Sequence, residues 1–327
     1  MKKISFLIVF ASFILASCGG KNEKKYISIT NKALGTFYSI TYFDENGRNM
    51  QVEIDSIIDR FNMSLSAYNP NSILSKVNQN IETELDDCFK NVFFRAKYFY
   101  EITDGVFDIS ASPLFSAWGF GFGNREKITP ELIDSLKQFI GMEKISVEND
   151  KIIKSDPRVN INANALAKGY AVDVVADFLL SQNIKDFLVE IGGEIVVRGK
   201  NRNGEKWKIG IDSPYDGNFN SGENLIYTVS LTDKAVATSG NYRQFYIEDG
   251  KKYAHTIDPV TGYPVQHSLL SATVIAADCM SADAIATSLM VMGMKKAKTF
   301  LTEYPEYQAY LVYEENGEYK TFSTIIE

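Results

Sequence analysis

Asp283 and Thr287 lie four residues apart in a stretch whose apolar spacing predicts a helix. The apolar residues recur at i, i+4 and i+7 and are Ile285, Leu289 and Met292. Ser281 is predicted to be the N-cap of this helix. Because residues four apart share a helix face, the carboxylate and the hydroxyl would offer two hard oxygens of the kind that Mg²⁺ prefers. The helix N-terminus would add donors for a phosphate, whereas a cap and two solvated polar residues are the alternative interpretation.

Lys168 lies in the first turn of a second predicted helix, which begins near Ala165. A cation at that end of a helix opposes the helix dipole, so the placement is mildly unfavourable unless an anion lies there too. A bound phosphate would remove the conflict. A lysine that extends along the surface to reach solvent would need no ligand, and the segment alone leaves these two interpretations equal.

Three further stretches place polar side chains at the ends of predicted elements. Residues 105–108, with the sequence Gly-Val-Phe-Asp, directly follow a long predicted helix, and residues 237–243 lead from a strand into a polar turn. His255 lies on a predicted strand that ends in a Pro/Gly turn at 259–262. Each stretch alone is also explained by an ordinary loop or by core packing, and a lone histidine on a strand is more often structural than catalytic.

The N-terminus predicts an exported, lipid-anchored protein. Lys2 and Lys3 precede an apolar run at 4–15 that is too short to span a bilayer and is typical of a signal peptide. Residues 15–18, Leu-Ala-Ser-Cys, match a bacterial lipobox, so we expect cleavage before Cys18 and lipidation of its thiol. An ordinary secretory signal with an incidental cysteine is the alternative. We therefore expect a signal peptide at 1–17, a lipidated tether at 18–30, a catalytic domain at 31–327, and a location on the periplasmic side of a bacterial cell membrane.

The remaining chain has a globular composition without the signature of a nucleic-acid binder. Asp and Glu together outnumber Lys and Arg by 41 to 34, a net charge of −7, whereas nucleic-acid surfaces need clustered basic residues. Cys88 is predicted to be a buried thiol, and a disulfide to Cys279 is possible outside the cytoplasm but cannot be deduced. With only His255 and His267 as histidines, the chain has no Cys/His cluster of the metal-binding kind.

Helices and strands follow one another without strict alternation, which predicts an α+β fold rather than a doubly wound sheet. We expect one compact domain with two lobes of mixed sheets and helices. The Gly-Gly pair at 192–193 predicts a two-residue hairpin. Helices are expected from residue 51, with Ile54, Ile57, Ile58 and Phe61 on one face, within 70–78, over 86–100, from 129 to 141, from 165, from 281 and from 295, the last two separated by Gly293. Strands are expected at 26–30, 36–42, 144–147, 151–154, 159–162, 187–191 and 194–198, with 207–211, 227–231, 235–238 and 245–247 continuing the sheet and a final strand pair near the C-terminus.

Eight motifs occur in the order found in one known family. They are ALGT, SAYNPNSILSKVN, GVFD, NANALAKGYAVD, EIGGEI, ATSGNYR, HTIDPVTG and SADAIAT. On these motifs the chain resembles the ApbE family of FAD:protein FMN transferases, from about Ala33 to the last strands. The resemblance implies an ApbE/T-fold-like fold, and the lipobox agrees with it because many members are periplasmic lipoproteins.

The resemblance implies a Mg²⁺-dependent enzyme that cleaves the pyrophosphate of FAD and transfers FMN to a Ser or Thr of a partner protein, releasing AMP. Residues that correspond by position to FAD contacts are Leu34, Tyr68, Val106, Phe107, Asp108, Asn162, Lys168 and Ile257. The corresponding metal shell is formed by the carbonyls of Ala165 and Ala286 with Asp283 and Thr287. His255 matches a histidine needed for transfer, so His255 and Asp283 are the expected catalytic residues. By analogy, the partners would be membrane subunits of the sodium-pumping NADH:quinone reductase or of Rnf-type complexes.

Two residues depart from the family pattern. Leu34 occupies a position where Met is frequent, which is a mild apolar exchange. Asn162 occupies a position where Asp is common, so an amide replaces a carboxylate and the contacts to adenine or metal could change. Two other functions remain open from the sequence: an FAD pyrophosphatase that passes FMN to water, and a flavin-binding lipoprotein without catalysis, which would leave the Asp283–Thr287 pair without a purpose.

Overall fold

The structure is a computed structural model that describes residues 26–121, 125–215, 222–241, 245–248 and 251–326. Its strands are β1 (Tyr26–Ala33), β2 (Thr36–Phe43), β3 (Ile145–Glu148), β4 (Lys151–Lys154), β5 (Phe187–Ile191), β6 (Glu194–Arg198), β7 (Trp207–Asp212), β8 (Leu225–Leu231), β9 (Lys234–Gly240), β10 (Phe245–Glu248), β11 (Lys251–Ala254), β12 (Leu269–Ala276), β13 (Gln308–Glu315) and β14 (Glu318–Ser323). Its helices are α1 (Gln51–Leu65), α2 (Ile73–Asn78), α3 (Asp87–Ile102), α4 (Ser112–Ala117), α5 (Pro130–Lys137), α6 (Asn164–Ser181) and α7 (Cys279–Glu303).

Eight of these strands form one large sheet, in the order β1-β2-β5-β6-β9-β12-β13-β14. Each neighbouring pair is antiparallel. Ile191 pairs with Glu194 across the Gly192-Gly193 turn, which confirms the predicted hairpin. The prediction of an α+β fold is confirmed, because the helices are neither parallel-strand crossovers nor regularly alternated with strands.

The prediction that residues 207–211, 227–231 and 245–247 continue this sheet is wrong. β7 pairs with β8, and β10 pairs with β11, in separate two-stranded sheets. Trp207 of β7 belongs to a buried cluster that also contains Ile275 of β12. The β7–β8 pair therefore buries its apolar residues against a face of the large sheet instead of extending its edge.

Helices cover the large sheet and enclose the main core. α7 packs against β9 and β12, α6 packs against β5 and β6, and α1 and α3 pack against α6. The predicted apolar face of α1 lies in this core and consists of Ile54, Ile57, Ile58 and Phe61. The periodic apolar pattern thus identified both the helix and the face that it buries.

Helix α7 begins earlier than predicted. Asp278, not Ser281, is the N-cap of α7, and its Oδ1 accepts the N–H of Ser281 at 2.8 Å. Ser281 is instead the third residue of the helix, and its hydroxyl also donates to Asp278. The predicted break at Gly293 is confirmed, because this residue has a φ of 69° that interrupts the helical path.

Residues 159–162 do not form the predicted strand. The amide of Asn78 bonds both backbone groups of Ile161, accepting its N–H and donating to its carbonyl at 2.8 Å each. The N–H of Asn162 donates to the carbonyl of Ile109 at 2.7 Å. Side-chain and loop partners thus satisfy this backbone, so an apolar extended segment needs no neighbouring strand here.

The predicted signal peptide and lipobox at residues 1–18 lie outside the described residues. β1 begins at Tyr26. Residues 26–30, which were expected to belong to the tether, are therefore part of the large sheet. Among the helices that the structure describes, none combines the length and the apolar character needed to cross a membrane. Cys88 and Cys279 are both free thiols.

Candidate active site

The crossing of α6 and α7 builds the centre of the candidate site. The backbone N–H of Gly169 donates to Oδ2 of Asp283 at 3.1 Å. A Cβ atom at position 169 would lie 2.3 Å from the carbonyl oxygen of Cys279, so only glycine permits this approach. The two helices therefore meet where Lys168 and Asp283, the predicted phosphate and metal residues, are neighbours.

Asp283 is a buried carboxylate, only 4% exposed. Burial raises the pKa of Asp283 to about 7, while Lys168 opposes the shift and Glu194 adds to it. One turn further along α7, the hydroxyl of Thr287 lies 3.1 Å from the hydroxyl of Ser239 on β9. The predicted shared helix face is therefore present, but it points into the protein rather than into solvent.

These oxygens have the chemistry that a magnesium ion requires. The N–H of Gly169 would ordinarily bond the carbonyl of Ala165, four residues earlier in the helix. Because this N–H donates to Asp283, the carbonyl of Ala165 and the carboxylate lie beside the same group. A buried carboxylate, a hydroxyl and a carbonyl together form a hard oxygen set that fits Mg²⁺. In the described chain no three His, Cys, Asp or Glu side chains cluster as a metal site.

Ala286, the fourth residue predicted for the metal shell, is fully buried within α7. Its carbonyl is directed along its helix, as is that of Ala165 in α6. The two carbonyls remain predictions, whereas the side-chain oxygens of Asp283 and Thr287 lie one turn apart on the same helix.

Lys168 is half-buried and has a buried carboxylate as its partner. Its Nζ forms an ion pair with Oε1 of Glu194, which is only 4% exposed. Although burial alone would lower the pKa of Lys168, the carboxylates of Glu194 and Asp283 raise it above its ordinary value. Lys168 therefore stays charged, held between two carboxylates at the start of α6, where a phosphate could be neutralised.

Glu194 is a site residue that sequence reasoning missed. It begins β6, directly after the Gly192-Gly193 turn, and its Oε2 is buried without a hydrogen-bond partner. A charged residue at a strand position that faces the core was the available signal, because such residues are seldom buried unless paired. The EIGGEI motif indicated a hairpin and the family resemblance but not the burial of Glu194.

The N-terminus of α7 does not offer donors to a phosphate, contrary to the prediction. Asp173 of α6 accepts the N–H groups of Cys279 and Met280 at 2.8 Å each. A side-chain carboxylate therefore already occupies the positive end of this helix dipole. Burial raises the pKa of Asp173 to about 7.

His255 lies immediately after β11, with its ring edge-on to Phe120 at a centroid distance of 6.4 Å. The next residue, Thr256, donates its hydroxyl to Oδ1 of Asn241 at 2.6 Å. Asn241 directly follows β9, the strand whose Ser239 contacts Thr287. The end of β9 thus connects the histidine loop to the predicted metal helix.

The predicted flavin contacts fall into two groups. Tyr68 is 74% exposed, and Leu34 is half-buried in the β1–β2 turn, so both can present side-chain surface to a ligand. Phe107 and Ile257 are buried, at 2% and 1% exposure, and Phe107 packs edge-on against Phe99. Any contact from Phe107 or Ile257 would therefore come from the backbone. Val106 is half-buried.

Asp108 and Asn162 lie on adjoining segments near the start of α6. The backbone of Asn162 is bonded to that of Ile109, and Oδ1 of Asn162 accepts the N–H of Asn164 at 2.9 Å. Burial raises the pKa of Asp108 to about 6, partly offset by hydrogen bonds from Ser110. The structure thus brings Asp108, Asn162 and the start of the Lys168 helix into one region.

Comparison with known proteins gives one family. The model of the ApbE family matches residues 34–311. The chain is 36% identical to an FAD:protein FMN transferase of Haemophilus influenzae, with 91% of this chain and 89% of that protein covered. It is 31% identical to the Escherichia coli protein of the same description, with 90% and 86% covered.

Solved structures agree with this result. The flavin transferase ApbE from Vibrio cholerae superimposes with a TM-score of 0.81 at 32% identity, covering 91% of this chain and 97% of that one. The apo form of the Pseudomonas stutzeri flavinyl transferase ApbE gives a TM-score of 0.83 at 29% identity, with 92% and 95% covered. The likeness therefore includes the fold and nearly the whole length of each protein.

Proposed function

The chain belongs to the ApbE family and is an FAD:protein FMN transferase, and we propose that it works with Mg²⁺ held by Asp283, Thr287 and the carbonyl of Ala165. FAD is its flavin donor and a protein is its acceptor. In the proposed reaction FMN is attached through a phosphoester to a Ser or Thr hydroxyl of that protein, and AMP is released.

The observation that carries the metal and phosphate assignment is the contact between α6 and α7. It holds a buried carboxylate, Asp283, beside a charged lysine, Lys168, at a crossing that only a glycine permits. A bound Mg²⁺ would neutralise charge on the pyrophosphate, as metal ions do in other phosphoryl transfers. Lys168 would neutralise the remaining phosphate charge, and Glu194 would hold the Lys168 ammonium group in place.

His255 would serve as the general base. The acceptor hydroxyl oxygen attacks the phosphorus of the FMN half of FAD, and its proton passes to a ring nitrogen of His255. The bond from that phosphorus to the bridging oxygen breaks, and AMP leaves with the bridging oxygen and its electron pair. The link from Thr256 through Asn241 to the end of β9 supports a position for His255 near Thr287.

Two substitutions test these assignments in a single-turnover assay with FAD, Mg²⁺ and an acceptor protein, read out by intact mass. Asp283→Asn keeps an oxygen for the Gly169 N–H but removes the charge, so transfer should be lost at limiting Mg²⁺. His255→Ala should retain FAD binding and lower the rate by about 10²–10⁴, the usual contribution of a general base. Asp177→Ala, an exposed carboxylate on α6, is the control.

Each outcome separates one assignment from the others. Near-normal transfer by Asp283→Asn at limiting Mg²⁺ would overturn the metal site, and near-normal transfer by His255→Ala would make that histidine structural. If free FMN and AMP are released while the mass of the acceptor does not change, the result would favour the FAD pyrophosphatase. FAD that stays intact throughout would favour a flavin-binding lipoprotein.

We further propose that lipidation at Cys18 anchors the protein on the periplasmic side of a bacterial cell membrane. The lipobox that ends in Cys18 supports this, and the several acyl chains of a bacterial lipoprotein hold more firmly than a single chain. Cys18→Ala should release the protein from membranes or leave it unprocessed. A mutant of processed size that still floats with membranes would overturn the anchor.

Membrane subunits of the sodium-pumping NADH:quinone reductase or of Rnf-type complexes are the proposed acceptors, on family analogy. A lipid anchor would bring the enzyme to the membrane that holds such subunits. Each candidate subunit, incubated with enzyme, FAD and Mg²⁺, should gain the mass of one FMN phosphoester. A subunit whose mass does not change is not an acceptor.

A further inference from the structure

The end of β9 contacts both halves of the proposed catalytic site. Ser239 is the last residue but one of β9, and Asn241 directly follows the strand. The Ser239 hydroxyl lies 3.1 Å from that of Thr287. Oδ1 of Asn241 accepts the hydroxyl of Thr256 at 2.6 Å.

Main-chain hydrogen bonds hold this arrangement on both sides. The N–H of Asn241 donates to the carbonyl of Leu270 at 3.0 Å, which continues the pairing of β9 with β12 by one residue. The carbonyl of Thr256 accepts the N–H of Val265 at 3.0 Å, which closes the loop after His255. Since both partners are anchored, the side-chain bond between Asn241 and Thr256 fixes one anchored segment against the other.

The Asn241–Thr256 bond is buried, with the two residues 9% and 8% exposed. A buried hydrogen bond adds about 1 kcal/mol, and leaving one partner unsatisfied costs about 1–3 kcal/mol. Thr256 contributes no other side-chain hydrogen bond among the described contacts. Asn241 is therefore the described partner of the Thr256 hydroxyl. Two residues before Asn241, Ser239 contacts Thr287.

We propose that Asn241 and Thr256 are positioning residues that set the distance between His255 and the Asp283–Thr287 pair. This inference rests on the proposed role of His255 as the base for FMN transfer. Reacting groups must be held within a fraction of an ångström, and a shift of 1 Å can slow a reaction by about 10². The bond therefore controls the rate of transfer rather than the affinity for FAD.

The test compares the transfer rate and the FAD dissociation constant of Thr256 variants. Thr256→Val removes the hydroxyl at nearly constant volume and should slow single-turnover transfer by about 10- to 100-fold, with FAD affinity within about twofold. Thr256→Ser keeps the hydroxyl and should restore most of the rate. Asn241→Ala removes the acceptor of the same hydrogen bond. If the Thr256→Val protein does not fold, Asn241→Ala takes its place and should slow transfer by a similar factor.

Thr273→Val is the matched control. Thr273 is fully buried on β12, and its hydroxyl lies 2.8 Å from that of Thr238, the neighbour of Ser239 on β9. This substitution removes a half-buried hydroxyl–hydroxyl contact between β9 and β12 and leaves the histidine loop unchanged. We expect a lower melting temperature and a transfer rate close to that of the parent.

Three results would overturn the inference. Slow transfer by His255→Ala together with normal transfer by Thr256→Val would leave the proposed function intact and remove the positioning role. Equal rates for Thr256→Ser and Thr256→Val would show that the hydroxyl does not matter. Normal transfer by His255→Ala would overturn the role of the histidine in the proposed function, and the positioning role with it.

Discussion

The backbone N–H of Gly169 is bonded to the carboxylate of Asp283 where α6 crosses α7. A Cβ atom at position 169 would lie 2.3 Å from the carbonyl oxygen of Cys279 and 2.9 Å from Cβ of Asp283. Both the Cys279 oxygen and the Asp283 Cβ belong to the framework of α7 and cannot rotate away. The glycine therefore fixes how closely α6 approaches α7.

Gly169→Ala should separate the two helices. Alanine normally favours a helix interior by up to about 1 kcal/mol, but overpacking costs about 1–3 kcal/mol. We expect a net loss in the free energy of unfolding and a loss of transfer at limiting Mg²⁺, measured by urea unfolding and by the single-turnover assay. Asp177→Ala changes an exposed position of the same helix and should alter neither. A Gly169→Ala protein with parental stability and activity would contradict the close approach.

Lys168→Met should weaken FAD binding by at least about tenfold, because a charge-assisted bond to phosphate contributes about 1.5–3 kcal/mol. It should also destabilise the chain, because it leaves the buried carboxylate of Glu194 unpaired. The stability loss should be modest, since the lysine side chain is 36% exposed and water screens the pair.

The double variant Lys168→Met/Glu194→Gln separates these two effects. Removing both charges should restore part of the stability, because Glu194 is no longer a buried charge without a partner, whereas Asp283 still lacks Lys168. FAD affinity should stay low, since the phosphate-binding cation is still absent. Flavin titration and urea unfolding measure the two quantities, and Lys185→Met, at an exposed position, is the control. Restored FAD affinity in the double variant would contradict a phosphate role for Lys168.

Local patterns predicted the elements but not the contacts between them. The apolar spacing of Ile54 and Phe61 identified α1, and Gly293 identified the break in α7, because each signal lies within a few residues. Asp173 accepts N–H groups at the start of α7 from 106 residues earlier in the chain, and the sequence around Ser281 contains no trace of it. The wrong assignment of the phosphate donors follows from that distance, whereas the N-cap, Asp278, lies only three residues before Ser281.

In the candidate site too, the sequence predicted local features but not contacts between distant parts of the chain. Asp283, Thr287 and Lys168 were found because their spacing or position on a helix suggested chemistry. Glu194 was missed because its partner, Lys168, lies 26 residues away on another element. The resemblance implies that Phe107 contacts FAD. A residue pattern does not show whether such a contact comes from the side chain or from the backbone, and the ring of Phe107 is buried.

Asp108→Asn should change how stability depends on pH. Burial raises the pKa of Asp108 from 3.8 to about 6, so between these values the native state binds more protons than the unfolded state. Stability then falls as pH rises through this window. Asparagine keeps an acceptor for Ser110 but cannot ionise, so the variant should be more stable than the parent above pH 6, by on the order of 2 kcal/mol.

Urea unfolding at pH 4 and pH 8 measures this effect. The stability advantage of Asp108→Asn should be small at pH 4 and large at pH 8. Asp104→Asn, at an exposed position four residues earlier, is the matched control and should leave the difference between the two pH values unchanged. An advantage of equal size at both pH values would contradict burial as the cause.

His267 stabilises the break in α7 in its neutral form. Its Nδ1 accepts the N–H of Leu269 at 3.3 Å, so its Nε2 carries the proton and donates to the carbonyl of Met290 at 2.8 Å. The break at Gly293 leaves that carbonyl near a helix end, where carbonyls lack helical donors. A Cβ at Gly293 would lie 2.7 Å from the imidazole, so ring and break fit each other closely.

His267→Gln should therefore remove one source of acid sensitivity. Burial lowers the pKa of His267 below 6.5, so the unfolded state binds more protons near and below that pH, and stability falls as pH decreases. Glutamine can donate to Met290 and accept from Leu269 without titrating. The stability difference between parent and variant, measured by urea unfolding, should shrink or reverse from pH 7.5 to pH 5.5. Parallel pH profiles would contradict a lower pKa of His267 in the native state.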